Sequence, residues 1–339
     1  MLKPLSLPAL AAVALGLSGC GALYKPTGKV LTEYAQDEVV PYALASRDLD
    51  MAGCGTGLAQ HQLLASFGRV IDHPGKVLIT TNTLAGLCAE AQAQEADLRF
   101  QRAMRAGDTA EARDARVLSQ RLYRRTALRR LQVYRDTVYS FGEFGGDSCP
   151  DLDNDTERVE FLVGVLTSVQ ALLSDIQSGN SAGVPMDVAA RAGRAATCLD
   201  NERWWGVPNA LQAVVWLSVP GALPAGTDPW KQLAEAADLG ESQRMPMAAM
   251  LYAIAAYGAS EIEREKEAIR QVARIYDKQD APQDSVLLSE VSYMEALFLS
   301  DRIWTRETGQ RTPFLGLGTY PGDQDSSPDS KLDATDLLD

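Results

Sequence analysis

The chain has 339 residues, 46% of them hydrophobic and 23% charged, enough for one large helical domain or two smaller ones with a well-buried core. Its formal charge is −13, with 45 acidic against 32 basic residues, which argues against a nucleic-acid-binding surface and against electrostatic attraction to anionic lipid. Attachment to a membrane therefore has to come from a covalent lipid.

Such a lipid is what the N-terminus predicts. Lys3 precedes a short apolar stretch, Leu5 to Leu17, broken by Pro8 and ending in Leu17-Ser18-Gly19-Cys20. The stretch is too short for a stable membrane-spanning helix and reads as an export signal. Its last four residues match a bacterial lipobox, so residues 1–19 are expected to be removed and Cys20 to carry the acyl chains (palmitate among them). Losing the signal takes away Lys3 alone and leaves 31 basic against 45 acidic residues, a charge of −14. Gly21 and Ala22 lack the aspartate that favours inner-membrane retention in enteric bacteria, so the periplasmic face of the outer membrane is favoured. Residues 20–28 are expected as a lipidated linker, 29–305 as an all-helical domain, and 306–339 as an acidic, mostly disordered tail.

Four cysteines remain, Cys54, Cys88, Cys149 and Cys198. In an oxidising compartment they suggest two disulfides with three possible connectivities, and sequence order favours Cys54–Cys88 and Cys149–Cys198. No two have CxxC spacing, so a structural role is expected.

Helical periodicity runs through the domain, with almost nothing that reads as strand. An Ala-rich helix is predicted from Val77 to Met104, and Gly107 separates it from a second over Asp108 to Phe141. That second helix has two apolar sides, Val117, Leu128 and Leu131 on one, Leu118, Leu122 and Val133 on the other. A helix of this kind is sandwiched between neighbours. Val159, Leu162, Leu166, Val169, Leu173 and Ile176 form one stripe, with Thr156 or Asp155 as the cap and Gly179-Asn180 as the stop. From Cys198 to Gly240, Trp204, Trp205, Trp216 and Trp230 lie among four prolines that divide short helices. A long helix is predicted from Leu251 to Tyr276. Asp280-Ala281-Pro282 then reverses the chain into a stripe of Leu287, Val291, Met294 and Phe298. The expected fold is all-α, a solenoid-like stack of antiparallel hairpins.

Recognisable catalytic patterns are missing: there is no HExxH, GxSxG or Walker-type loop, and only His61 and His73 are histidines. No catalytic residue, metal ligand or cofactor is expected, and the protein reads as a non-enzyme. Asp151, Asp153 and Asp155 begin like a calcium loop, but Thr156 and Leu162 stand where that loop needs Gly and Glu. An acidic helix-capping turn is the better reading. Eight arginines between Arg113 and Arg135 read first as a salt-bridging face, with a cationic wall for an anionic ligand as the open alternative. Arg203, Trp204, Trp205, Trp216 and Trp230 are candidates for an apolar ligand cavity with a charged mouth. Packing between helical layers is the competing role.

Three segments carry a family resemblance: Val39-Val40-Pro41-Tyr42-Ala43-Leu44, Glu95-Ala96-Asp97, and Leu122-Tyr123-Arg124-Arg125-Thr126-Ala127-Leu128-Arg129-Arg130-Leu131. With the lipobox and the helical layout, they make the chain similar to the T-component lipoproteins of TRAP transporters, which have degenerate tetratricopeptide-like hairpins. The resemblance implies a non-catalytic protein that meets a periplasmic solute-binding protein and holds a small organic acid or apolar ligand. It also implies a homo-oligomer. The Trp/Pro segment and the extra cysteines depart from that pattern. An envelope-assembly scaffold without a small ligand, or an envelope hydrolase using carboxylates, are the alternatives.

Overall fold

A computed structural model describes residues 23–276 and 285–323. Every regular element among them is helical, and none is a strand. Residues 23–44 form α1, which widens into a π-turn at Ala35–Val39. α2 combines an eleven-residue π-helix, Asp50–Gln60, with His61–Ser66. There follow α3 (Val77–Ala106), α4 (Thr109–Phe141), α5 (Asp155–Gln177), α6 (Met186–Ala195) and α7 (Val207–Ser218). α8 (Pro229–Ser242), α9 (Met247–Gly258), α10 (Ile262–Tyr276) and α11 (Val286–Thr308) complete the set.

The predicted hairpin of α3 and α4 is present, and its turn has a clear cause. Gly107 takes φ 74°, open to glycine at little steric cost, and the Asp108 carboxylate accepts from the Glu111 amide at 3.0 Å to start α4. α4 is sandwiched between α3 and α5 as expected, but through Leu122, Tyr123, Ala127, Leu131 and Val133. Val117, Leu118 and Leu128 face outward, 44%, 38% and 40% exposed. Three of the six apolar positions assigned to the two sides therefore do not pack.

α5 is capped by Asn154, not by Thr156 or Asp155, because Asn154 holds the extended backbone from which its side chain reaches the Glu157 amide at 3.0 Å. Its stretch is apolar enough to cross a membrane, yet 78% of that stretch is buried inside the protein, so α5 serves as the central core helix. The predicted long helix from Leu251 to Tyr276 is two, α9 and α10, because Ser260 turns left-handed at φ 60°. Apolar spacing continues across that break because both helices face the same core, so periodicity alone does not register it. The reversal assigned to Asp280-Ala281-Pro282 lies outside the described residues.

The ends also differ from expectation. The supposed linker is helical from residue 23, and part of the supposed tail is packed. Tyr320 is 3% exposed under Lys266 and Arg270, and Trp304 Nε1 donates to the Thr319 carbonyl at 2.8 Å. Residues 324–339 lie outside the described set.

All-α architecture is thus present, but not as an open stack. Each unit of a solenoid touches only its neighbours in sequence, whereas α11 packs against α3 as well as against α9 and α10. Gln94 Nε2 on α3 donates to Glu295 Oε2 on α11 at 2.7 Å, and Arg302 on α11 pairs with the buried Asp97 on α3. This closure brings the two ends of the helical array together around a central hollow.

Candidate functional site

The hollow has a volume of about 250 Å³ and is lined from six helices. α4, α5 and α11 each contribute residues one or two turns apart, the spacing that puts side chains on one face. Tyr123 and Arg130 come from α4, with Glu90 opposite on α3. Gln170, Leu173, Ser174 and Gln177 come from α5, and Glu295, Phe298, Leu299 and Arg302 from α11. Leu217 on α7 and Ile254 and Tyr257 on α9 close the apolar side.

The charged groups of the wall are held in pairs. Arg130, 2% exposed, grips both carboxylate oxygens of Glu90 and donates to Ser174 Oγ at 2.7 Å. Arg302 spends its charge on Asp97 and lays its guanidinium over the Tyr257 ring, 4.6 Å from the centroid. Burial, and then the neighbouring Glu90 charge, push the Glu295 carboxyl up to about 8, so it is neutral at pH 7. Burial likewise raises the hydroxyls of Tyr123 and Tyr257. With two matched ion pairs and one neutral acid, the cavity carries little net charge. Its apolar side and few fixed polar groups have the makeup of a small-molecule pocket. Neither histidine lines it, and Glu90, gripped by Arg130, is not free to act as a base. Among the described residues no cluster of His, Cys, Asp or Glu is placed to hold a metal ion.

The candidates chosen from sequence are distributed elsewhere. Trp204 and Trp205 are 5% and 9% exposed, packed edge to face 5.4 Å apart in the core. Trp216 borders a separate surface hollow beside Pro220 and Pro224. Trp230 rests against Tyr252 beneath the Arg264 guanidinium. Arg203 pairs with Asp155. These five residues do not converge on one cavity, and the tryptophans staple helices together. Asp155, the last aspartate of the acidic turn, also engages Arg158 at 3.1 Å.

Both favoured cysteine pairs are present. Cys54–Cys88 fastens α2 to α3, and Cys149–Cys198 fastens the loop before α5 to the turn after α6, with Cα separations of 5.0 and 5.4 Å. Of the arginine run, Arg130 belongs to the pocket, Arg116 lies 3.8 Å from Asp97, and Arg121, Arg124, Arg125 and Arg129 line a second groove between α2 and α4. The pocket residues Glu90, Glu295, Tyr257 and Arg302 were not singled out from sequence. The available signal was a charge at each end of the Glu295-x-x-Phe298-Leu299-x-x-Arg302 face, four positions that share one side of a helix otherwise read as an apolar stripe. No family model matches this chain, and neither curated proteins nor solved structures show a significant similarity to it.

Proposed function

We propose that the protein is a non-catalytic, lipid-anchored binding protein of the bacterial envelope that holds a small, largely apolar, uncharged molecule in the central pocket. The observation that carries this reading is the pairing of the pocket's charges. Glu90 with Arg130 and Asp97 with Arg302 leave the wall polar but balanced, so a neutral ligand loses least on entering. An organic acid would need a free cation, and both arginines are engaged.

The anchor reading rests on the lipobox and gains support from α1. Cys20 stands three residues before Leu23, and Leu23, Val30 and Tyr34 share an outward face of that helix at 68%, 61% and 59% exposed. An apolar face so close to an acylated residue suits a membrane surface. A role as accessory to TRAP-type solute transport, meeting a solute-binding protein, is supported by where the resembling segments lie. Asp97 holds the pocket's Arg302, and Tyr123 and Arg130 line its wall.

The test uses Gly258, which lines the pocket and where an added Cβ meets nothing within 4 Å. Gly258→Trp should fold normally and obstruct the cavity. Mass spectrometry of organic extracts from the natively purified protein should then find a small molecule with the wild type and lose it with the variant. Identical extracts from both would overturn the reading. For the anchor, Cys20→Ser should abolish incorporation of labelled palmitate.

A further inference from the structure

The second groove, between α2 and α4, measures about 480 Å³ and is open to solvent. Its wall holds the row Arg121, Arg125 and Arg129 with His61 and with Arg124, which donates to the Ser181 carbonyl, and no carboxylate, on a chain whose overall charge is −13. Arg121 and Arg125 make no ion pair or hydrogen bond among the described residues. The three arginines are four residues apart, one helical turn each, so they stand in a row about 12 Å long.

The groove is built rather than incidental. Gly53 and Gly57 of the π-helical stretch lie directly on α3, where a Cβ at Gly57 would come within 2.4 Å of the Ala85 amide nitrogen. The Cys54–Cys88 disulfide pins the same contact. Arg129 Nη1 donates to the Ala85 carbonyl at 2.6 Å, which fixes that side chain against the wall. Asp136, whose charge acts on His61, is 2% exposed and accepts from Asn82 at 2.8 Å and from Gln132 at 2.9 Å. Both of these amide donors line the groove, and Asp136 itself does not. Burial, and then the Arg125 charge, depress the Arg129 guanidinium, and burial depresses His61, opposed by the Asp136 charge and aided by Arg129.

We infer that this groove is a second binding site, separate from the central pocket, for an extended small anion carrying two or more phosphate or carboxylate groups. Guanidinium groups one turn apart, about 6 Å, match acidic groups spread along a chain better than a single compact ion. Such a ligand can be a soluble polyanion or the headgroup of an anionic lipid.

The full chain, purified in detergent, is titrated with inorganic tripolyphosphate and with orthophosphate by calorimetry. Tripolyphosphate is expected to bind saturably and more tightly than orthophosphate, and increasingly weakly as salt is raised. Arg121→Gln with Arg125→Gln removes no contact seen in the fold, so the variant should keep the wild-type melting temperature. It should nevertheless lose at least about tenfold in affinity. Arg121→Lys with Arg125→Lys should recover part of that loss. Repeating the titration in vesicles of phosphatidylcholine, alone or mixed with cardiolipin, whose headgroup carries two phosphates, separates the sources. Competition by cardiolipin assigns the site to a lipid headgroup, and its absence to a soluble anion. The inference is overturned if tripolyphosphate does not bind saturably, or if the double variant binds it as the wild type does.

Discussion

Arg130 on α4 and Glu90 on α3 form a two-pronged ion pair inside the wall of the central pocket, with Ser174 of α5 taking a further donor of the guanidinium. Three consecutive helices are thereby fixed at one point. Removing one partner of such a pair strands the other charge with little water. Arg130→Met should cost about 3–5 kcal/mol of folding stability. Adding Glu90→Met should recover most of that loss, since the uncompensated charge leaves with it. Denaturant unfolding of both variants measures the difference, and a double variant no more stable than Arg130→Met would show that the pair does not act this way.

Glu160 on α5 presents a different situation. It is 2% exposed, and neither carboxylate oxygen has a hydrogen-bond partner among the described residues. Burial pushes its carboxyl up to about 7 from an ordinary 4.5. Between those two values the folded protein holds a proton that the unfolded chain has released, so stability falls as pH rises across that window. Glu265, raised to about 7 by burial, acts in the same direction. Glu160→Met should therefore raise the melting temperature at pH 8, by on the order of 2–3 kcal/mol in stability, and clearly less at pH 5. Equal gains at both pH values would assign the effect to packing.

The helices themselves were legible because amphipathic spacing is a local property of the chain. α3, α4 and α5 emerge from the Val77, Asp108 and Val159 segments nearly at their observed bounds. Their junctions were less so: nothing in apolar spacing marks Ser260 as left-handed, and Asn154 takes the cap from two equally suitable neighbours through its extended backbone. The pocket was not legible for a related reason. Its charges are paired between residues about 40 to 205 positions apart, as in Glu90 with Arg130 and Asp97 with Arg302, and only closure of the array joins them. The tryptophans drew attention by type, yet large aromatics serve cores as readily as ligands.

Gly57 tests how closely α2 must sit on α3. A Cβ there would come within 2.4 Å of the Ala85 nitrogen and 2.6 Å of the Leu84 carbonyl carbon, and backbone atoms cannot rotate away. Gly57→Ala should therefore push the π-helical stretch off α3. A loss of about 1–3 kcal/mol is expected, as for other overpacking substitutions. Gly55→Ala in the same turn should be nearly neutral, because its Cβ would approach only the Asp50 carbonyl oxygen, at 4.0 Å. Thermal melts of the two variants make the comparison, and a neutral Gly57→Ala would show that the contact yields.

The two disulfides close loops of 34 and 49 residues. By chain entropy each should contribute about 4 kcal/mol. Reduction should lower the denaturation midpoint, and Cys54→Ser with Cys88→Ser should reproduce part of the drop. The Cys149–Cys198 pair should respond separately, since it ties the loop before α5 to the turn after α6. A midpoint unchanged by reductant would show that the links add nothing to stability.

On the proposed reading of the pocket, Glu295 links pH to ligand retention. Burial and the Glu90 charge raise its carboxyl to about 8, so below that pH the wall is neutral at this position. Above it a second negative charge develops beside Glu90, water is drawn towards the cavity, and an uncharged apolar ligand is disfavoured. Retention of the co-purified molecule should therefore hold from pH 6 to 7.5 and decline above pH 8. Glu295→Gln keeps the polar shape, still accepts from Gln94 through its amide oxygen, and should flatten that decline. Retention that instead rises with pH would reverse the assignment of ligand charge, because a carboxylate at Glu295 attracts a cationic amine.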